Sequence, residues 1–308
     1  MADVTFAEPN PDEVTALIRD QVPELAGLPV RRLVTSGTEH TAYRVGELHL
    51  ARFPRDEDAA AGLAKEVTWL PRIASAITLE TPEVVHVGSR EDGTPWVLTR
   101  WVRGHDAASV VGQGPSPLAW ADTLAELVAS LRAIDLKQFP QASWPSAYRG
   151  RSLAERVADL RADVEHERGD AATGPLDATA LDHLLSSALA DEPQLTDPVL
   201  LHADLIPGNL VVRDDRLVGL IDLGTLTTGQ PFWDLTPAWW VLDGPARRRF
   251  RDALGVGSAQ WGAGRAVAAI QGLMAHWYYA PRSHALAPLG ARALREALSD
   301  LRAAGSAS

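Results

Sequence analysis

Three oxygen-bearing side chains, Asp204, Asn209 and Asp222, stand at spacings that suit phosphoryl transfer. Asn209 follows Asp204 by five positions, and Asp222 follows Asn209 by thirteen. Transfer of a γ-phosphoryl group needs an in-line hydroxyl and metal ions that neutralise the triphosphate oxygens, and it needs little covalent work from the protein. Mg²⁺ takes hard oxygen ligands, usually including only one or two carboxylates. We therefore expect Asn209 and Asp222 to hold Mg²⁺, which leaves Asp204 to accept the hydroxyl proton.

The segment between Asn209 and Asp222 predicts a tight β-hairpin. Two apolar, β-prone runs at 210–212 and 217–221 flank the polar stretch 213–216, which is the pattern of paired strands joined by a short turn. Such a hairpin returns Asp222 close to the loop that contains Asp204. The competing interpretation makes each of these residues an ordinary turn or strand-end residue. Three polar side chains in register on one strand–loop–hairpin frame favour the chemical interpretation.

The motif set resembles that of a known enzyme family. Residues 202–209 read His-Ala-Asp-(four residues)-Asn, residues 221–224 read Ile-Asp-Leu-Gly, and residues 229–235 read Gly-Gln-Pro-Phe-Trp-Asp-Leu. This pattern resembles the aminoglycoside phosphotransferases and their relatives, the macrolide kinases, choline-type kinases and other small-molecule kinases with a protein-kinase-like fold. The resemblance covers about 33–240, and it is specific for the fold but not for the substrate.

The resemblance implies an α+β, two-lobed, protein-kinase-like fold with the site between the lobes. Residues 1–103 would form a small, mostly β N-lobe that covers the nucleotide. Residues 104–308 would form a larger helical C-lobe that carries the catalytic residues and binds the acceptor. The implied ligands are Mg²⁺, ATP or GTP as phosphoryl donor, and a small-molecule acceptor.

The resemblance also implies phosphate-binding residues near the N-terminus. Arg52 stands where the family has Lys or Arg to hold the α- and β-phosphates, and its guanidinium can bind a phosphate through two parallel hydrogen bonds. Glu66 would be its ion-pair partner. The loop 36–40 would cover the triphosphate, with Gly37 and Thr38 nearest the phosphates. A surface arginine, a solvated glutamate and a plain hairpin turn are the alternatives that remain open.

Further predictions concern the contacts of the nucleotide base and the residues around the Asp204 loop. The backbone near Arg100 and Val102 would meet the nucleotide base, without deciding between ATP and GTP. Ala203 stands where the family usually has Gly, and we expect the methyl to be tolerated if φ stays negative, since only a left-handed backbone penalises Ala strongly. Asp234 is interpreted as the N-cap of the following helix and a brace for the catalytic loop, and His202 as a residue that orients that loop.

Composition narrows the class of protein. The chain has 308 residues, a formal net charge of −11 and no cysteine, so it offers neither disulfides nor thiolate metal sites. The negative charge argues against a general nucleic-acid partner and is compatible with cationic acceptors, although solubility alone explains it too. Without a secretory signal or a membrane-spanning apolar run, we expect a cytoplasmic protein with no membrane partner.

The sequence therefore predicts a kinase that phosphorylates a hydroxyl of a small molecule. An antibiotic of the aminoglycoside or macrolide type is the first choice for the acceptor, because the resemblance points there. A sugar, an amino alcohol or another metabolite is the main rival. A non-catalytic nucleotide-binding regulatory module is the alternative from another class, disfavoured because the three polar site residues are retained. Phosphorylation of proteins is disfavoured because no Ala-Pro-Glu element follows Asp222.

Overall fold

The computed structural model describes residues 6–33, 39–138, 149–167, 178–191, 196–282 and 284–305. The chain divides into two compact units. The first consists of Met1–Gly104 and Gly219–Gly224, and the second of His105–Val218 and Thr225–Ser308. The short segment Gly219–Gly224, which contains Asp222, therefore groups with the N-terminal part of the chain.

The first unit is built on an antiparallel sheet. Its described residues form five hydrogen-bonded strands in the order β1-β2-β3-β5-β4. Two α-helices accompany this sheet in the described residues. The elements in chain order are α1 (Pro11–Gln21), β1 (Val30–Arg32), β2 (His40–Val45), β3 (His49–Pro54), α2 (Glu57–Ala76), β4 (Val84–Ser89) and β5 (Pro95–Arg100).

Helix α1 closes one face of this sheet. It begins with a capping box in which the Asn10 side chain accepts from the backbone N–H groups of residues 12 and 13, while the Glu13 side chain accepts from the Asn10 N–H. Such a box satisfies N–H groups that a helix start otherwise leaves unpaired. The apolar face of the helix packs into a core that includes Tyr43, Phe53 and Trp96, with the last two rings stacked at 5.6 Å between centroids.

The second unit is mainly helical. Its short strands form two small sheets in the described residues, one in the order β6-β8-β9 and one that pairs β10 with β7. The last two residues of β9 belong to the first unit. The elements are β6 (His105–Asp106), α3 (Leu118–Arg132), α4 (Leu153–Glu167), α5 (Ala178–Ala190), β7 (Val199–Leu201), β8 (Leu210–Arg213), β9 (Arg216–Leu220), β10 (Thr227–Gly229), α6 (Pro237–Trp240), α7 (Gly244–Leu254), α8 (Ser258–Tyr279) and α9 (Leu286–Gly305).

The predicted hairpin after Asn209 is confirmed by strands β8 and β9. Its two turn residues, Asp214 and Asp215, have φ of 51° and 59°. A two-residue turn with positive φ at both positions matches the right-handed twist of paired strands, and Asp tolerates this conformation better than most residues. The sequence therefore encodes both the strands and the turn that joins them.

Helices α8 and α9 approach each other closely at two glycines. A Cβ added to Gly272 would lie 2.7 Å from the carbonyl oxygen of Gly290, and a Cβ added to Gly290 would lie 2.5 Å from that of Gly272. Neither position has room for a methyl group. No helix in the described part of the chain is long and apolar enough to cross a lipid bilayer.

Candidate active site

Asp204 and Asn209 lie together in the loop that follows β7. The side-chain amide of Asn209 donates to the carbonyl oxygen of Asp204 at 2.9 Å and to its carboxylate Oδ2 at 3.0 Å. A short 3₁₀ turn over Pro207–Asn209 fixes the spacing between the two. Because Asn209 uses its nitrogen for these contacts, its side-chain oxygen is the atom left to face a cation.

The backbone of this loop rests on the buried carboxylate of Asp234. One oxygen accepts from the N–H of His202 and the other from the N–H of Ala203, each at 2.8 Å. Burial raises the pKa of Asp234 to about 6, although the two N–H donors and the charge of Arg132 act in the opposite direction. The predicted brace is thus present. The predicted N-cap is wrong, since the residue before α6 is Thr236 and makes no side-chain cap.

Ala203 adopts the left-handed conformation, with φ of 63°. The expectation of a negative φ at this position is therefore wrong. For a residue with a Cβ this conformation costs about 1–2 kcal/mol, and the two hydrogen bonds to Asp234 hold the backbone in it. Backbone strain of this kind clusters at functional sites, where the surrounding structure over-determines the geometry.

His202 is fully buried and its backbone is held at both polar groups. Its N–H donates to Asp234, and its carbonyl oxygen accepts from the Thr225 hydroxyl at 2.9 Å. This residue thus belongs to the support of the Asp204 loop, as expected from the sequence. Thr225 gave no sequence signal for this role.

Arg52, Glu66 and Asp222 cluster in the first unit. Arg52 on β3 donates to both carboxylate oxygens of Glu66 on α2, at 2.9 and 2.5 Å. Glu66 is fully buried. Burial would lower the pKa of Arg52, but the hydrogen-bonded charge of Glu66 and the charge of Asp222 outweigh burial and raise it. Arg52 is therefore a permanent cation, rigidly aimed, at a position where the resemblance implies phosphate binding.

Asp222 is placed by two contacts of the segment around it. The backbone N–H of Leu220 donates to the carbonyl of Glu80 at 2.9 Å, which pins the end of β9. The following turn lies against α2, where a Cβ on Gly224 would be 3.6 Å from the carbonyl oxygen of Gly62. Asp222 itself has φ of 63°. The helix that supplies Glu66 therefore also supports the turn that carries Asp222.

The other predicted nucleotide contacts are those of the loop 36–40 and of the backbone near Arg100 and Val102. Gly37 and Thr38 lie outside the described residues. The N–H of Arg100 donates to the carbonyl of Glu83 at 2.8 Å, and its guanidinium pairs with the Glu83 carboxylate at the same distance. The backbone N–H of Arg100 is therefore hydrogen-bonded within the protein. Contact of the nucleotide base with the backbone near Arg100 and Val102 remains a prediction.

One charged residue beside Asp204 is not among those predicted from the sequence. Arg149 places its Nη2 3.5 Å from the Asp204 Oδ1, and both side chains are about four-fifths buried. Nothing in the sequence around Arg149 marks this contact, because a fold is needed to bring the two segments together. The second unit thus assembles Asp204, Asn209 and Arg149, and the first assembles Arg52, Glu66 and Asp222.

Two of the predicted site residues carry oxygen donors of the kind that Mg²⁺ takes. Within the described residues, no cluster of three or more His, Cys, Asp or Glu side chains could hold a metal ion. A nucleotide-bound Mg²⁺ needs only one or two carboxylates, because phosphate oxygens and water complete its shell. The side-chain oxygen of Asn209 and the carboxylate of Asp222 are hard donors of the required kind.

Comparison with known proteins identifies the family. Residues 30–270 match the phosphotransferase enzyme family, and the chain therefore belongs to it. An aminoglycoside 3'-phosphotransferase of Streptomyces ribosidificus is 27% identical over 205 residues, which cover 62% of this chain and 70% of the relative. Its counterpart from Streptomyces fradiae is 29% identical over 203 residues, which cover 62% and 69%.

Solved structures share the fold over nearly the whole chain. An aminoglycoside phosphotransferase determined with GDP and kanamycin gives a TM-score of 0.72 at 23% identity, covering 93% of this chain and 98% of its own. A macrolide 2'-phosphotransferase of Brachybacterium faecium gives 0.60 at 21% identity, covering 92% and 97%. The predicted kinase-like fold, with a small sheet-rich N-terminal region and a helical C-terminal region, is confirmed. The protein is a phosphotransferase that acts on hydroxyl groups.

Proposed function

We propose that this phosphotransferase moves the γ-phosphoryl group of ATP or GTP to a hydroxyl of an antibiotic of the aminoglycoside or macrolide type. The observation that carries the proposal is the Asp204 loop. A buried carboxylate, Asp234, holds its backbone in a strained conformation while Asn209 orients the Asp204 carboxylate. A catalytic carboxylate must be held within a fraction of an ångström, and bracing of this kind serves that need.

Each site residue has a role in this proposal. Asp204 accepts the hydroxyl proton and orients the attacking oxygen. Arg52 binds the α- and β-phosphates, and Glu66 keeps its guanidinium in place. Asn209 and Asp222 would hold Mg²⁺, which neutralises the triphosphate oxygens when bound.

The names of the curated relatives support an aminoglycoside as the first acceptor to test. Both relatives named above are called aminoglycoside 3'-phosphotransferases. The net charge of −11 also suits a polycationic acceptor, since an acidic surface raises the local concentration of cations. We propose, as its sequence suggests, that the protein works in the cytoplasm, where nucleoside triphosphates are available.

The decisive experiment is an acceptor panel. The purified chain is incubated with Mg²⁺ and ATP or GTP, together with aminoglycosides, macrolides, sugars and amino alcohols. Mass spectrometry of the products then detects the addition of one phosphoryl group. We expect phosphorylation of at least one antibiotic. Modification of sugars or amino alcohols alone would show that the acceptor class is wrong. A chain that neither binds nor hydrolyses nucleotide would contradict the proposed function as a whole.

Paired variants test the role of Asp204. Asp204→Asn should lower turnover by a factor of about 10²–10⁴, the usual contribution of a general base, with little change in nucleotide affinity. Asp182→Asn is the matched control, because Asp182 also pairs with an arginine at 3.5 Å but is 71% exposed. Equal activity of the two variants would remove Asp204 from the mechanism.

A further inference from the structure

Arg149 is the charged group that the mechanism above leaves unused. Its guanidinium lies 3.5 Å from the carboxylate of Asp204. The loop from Leu201 to Asn209 contains no Lys or Arg of its own, so this cation comes from a separate segment of the chain. Taking an arginine largely out of water is costly unless the charge is used in an ion pair or by a ligand.

The segment that carries Arg149 is fixed on the same support as Asp204. Gly150 has φ of 78°, and a Cβ on it would lie 2.7 Å from the carbonyl oxygen of Thr228, so only glycine fits there. The indole of Trp233 donates to the carbonyl of Arg151 at 2.8 Å. Trp233 directly precedes Asp234, which holds the Asp204 loop. Arg149 and Asp204 are therefore positioned by adjacent residues of one short segment.

The distance between Arg149 and Asp204 is compatible with contact to a transferring phosphoryl group. A hydroxyl that Asp204 accepts from lies about 2.6–3.2 Å from its carboxylate. In a near-attack geometry that hydroxyl oxygen lies about 3–3.5 Å from the phosphorus. The phosphorus is then at most about 6–7 Å from the Asp204 carboxylate. A guanidinium 3.5 Å from the same carboxylate is close enough to contact phosphoryl oxygens there.

We propose that Arg149 binds the γ-phosphoryl group during transfer and stabilises the charge of the transition state. This inference rests on the proposed function. The acceptor oxygen forms a bond to the γ-phosphorus while the bond from that phosphorus to the bridging oxygen breaks. The bridging oxygen keeps the electron pair and leaves with the nucleoside diphosphate, and the hydroxyl proton passes to Asp204 and then to solvent. Arg149 keeps its own protons throughout and acts through charge and hydrogen bonds.

The competing interpretation is that Arg149 only neutralises and orients Asp204. Under that interpretation its loss disturbs the ground state of the loop but leaves the enzyme's preference for a transition-state mimic intact. Aluminium fluoride with Mg²⁺ and a nucleoside diphosphate mimics the phosphoryl group in transit. Binding of this mimic therefore separates a phosphoryl-binding arginine from a merely structural one.

The experiment compares Arg149→Gln and Arg149→Lys with the matched control Arg161→Gln. Arg161 on α4 pairs with Asp182 on α5 at the same 3.5 Å but is 54% exposed. Hydrolysis of Mg·ATP and Mg·GTP with water as acceptor is measured, together with nucleoside diphosphate affinity with and without aluminium fluoride and the thermal unfolding midpoint. Water as acceptor makes the assay independent of the antibiotic panel.

For Arg149→Gln we expect turnover to fall by about 10²-fold or more, in line with loss of a transition-state donor. Diphosphate affinity should stay within about threefold while the tightening by aluminium fluoride is lost. The turnover and the fluoride effect of Arg149→Lys should be intermediate, because lysine keeps the charge but not the planar, two-pronged guanidinium. This variant supplies the test if the Gln variant does not fold. Arg161→Gln should match the parent.

The results that would overturn this inference alone differ from the result that would overturn the proposed function. Parent-like hydrolysis in Arg149→Gln, or full retention of the fluoride effect, would remove Arg149 from the phosphoryl site while the proposed function stands. A parent chain that binds and hydrolyses no nucleotide would refute the proposed function and this inference together.

Discussion

Replacement of Asp234 by Asn should abolish most of the activity at little cost in stability. Asp234 accepts two backbone N–H groups at 2.8 Å, one on each oxygen. Asn offers one oxygen and one NH₂ group, so one of the two N–H groups of His202 and Ala203 would face another donor. A hydrogen bond to a charged group contributes about 1.5–3 kcal/mol, and one such bond is lost.

The stability loss is offset by the charge that Asn removes. Burial raises the pKa of Asp234 to about 6 from the ordinary 3.8, which amounts to about 3 kcal/mol of cost for the ionised form at neutral pH. The lost hydrogen bond and the removed charge act on stability in opposite directions. We expect the free energy of unfolding of Asp234→Asn to lie within about 2 kcal/mol of the parent value at pH 7.

Activity has no such compensation. Without two acceptors, the left-handed backbone at Ala203 can relax and release about 1–2 kcal/mol of strain, which moves Asp204. Displacement of a reacting group by about 1 Å costs about 10²-fold in rate. We expect turnover of Asp234→Asn to fall by at least that factor, as measured by Mg·ATP and Mg·GTP hydrolysis alongside urea unfolding.

A second substitution tests whether the strained backbone at Ala203 positions Asp204. Ala203→Gly added to Asp234→Asn removes the penalty on the left-handed conformation, so turnover should recover several-fold. Activity of Asp234→Asn within fivefold of the parent, or no recovery on adding Gly, would show that the strained backbone does not position Asp204.

Three further predictions concern other parts of the site. Glu66→Gln removes the carboxylate charge that is hydrogen-bonded to buried Arg52, and it should lower the unfolding free energy by about 3–5 kcal/mol. A loss below about 1 kcal/mol in urea titration would contradict this. Turnover should fall as pH drops through about 6, because protonation of Asp234 removes one acceptor from the loop. The contribution of Asp234 to stability runs the other way: it is full below the ordinary pKa of an aspartate and is lost as pH rises through about 6. A flat pH–rate profile between pH 5 and 7 would contradict the first expectation. Gly150→Ala cannot keep its φ of 78° or its contact with Thr228 and should destabilise the fold by more than about 1 kcal/mol and slow hydrolysis; normal values of both would refute the close fit.

The sequence predicted those parts of the site that depend on local pattern. The hairpin of β8 and β9 follows from two apolar runs and an Asp-Asp turn, and Asp204 and Asn209 lie five positions apart in one loop. The Arg52–Glu66 pair was implied by the family resemblance rather than by spacing. In each case the partners lie near one another in the chain or share a recognisable motif.

The parts that the sequence could not predict depend on contacts between distant segments. Ala203 has a positive φ because the carboxylate of Asp234 fixes its N–H, and no local rule for alanine anticipates that. Both Asp234 oxygens are used on the loop, which is why the N-cap prediction failed. Arg149 and Asp204 come from distant segments of the chain, and Gly150 beside Arg149 lies against Thr228.

The short segment Pro231–Leu235 has a consequence for how mutations combine. Its Trp233 holds the backbone beside Arg149, and its Asp234 holds the loop of Asp204. A shift of this segment would therefore disturb Asp204 and Arg149 at once. Double-mutant cycles across Trp233 and Asp234 should show strong non-additivity.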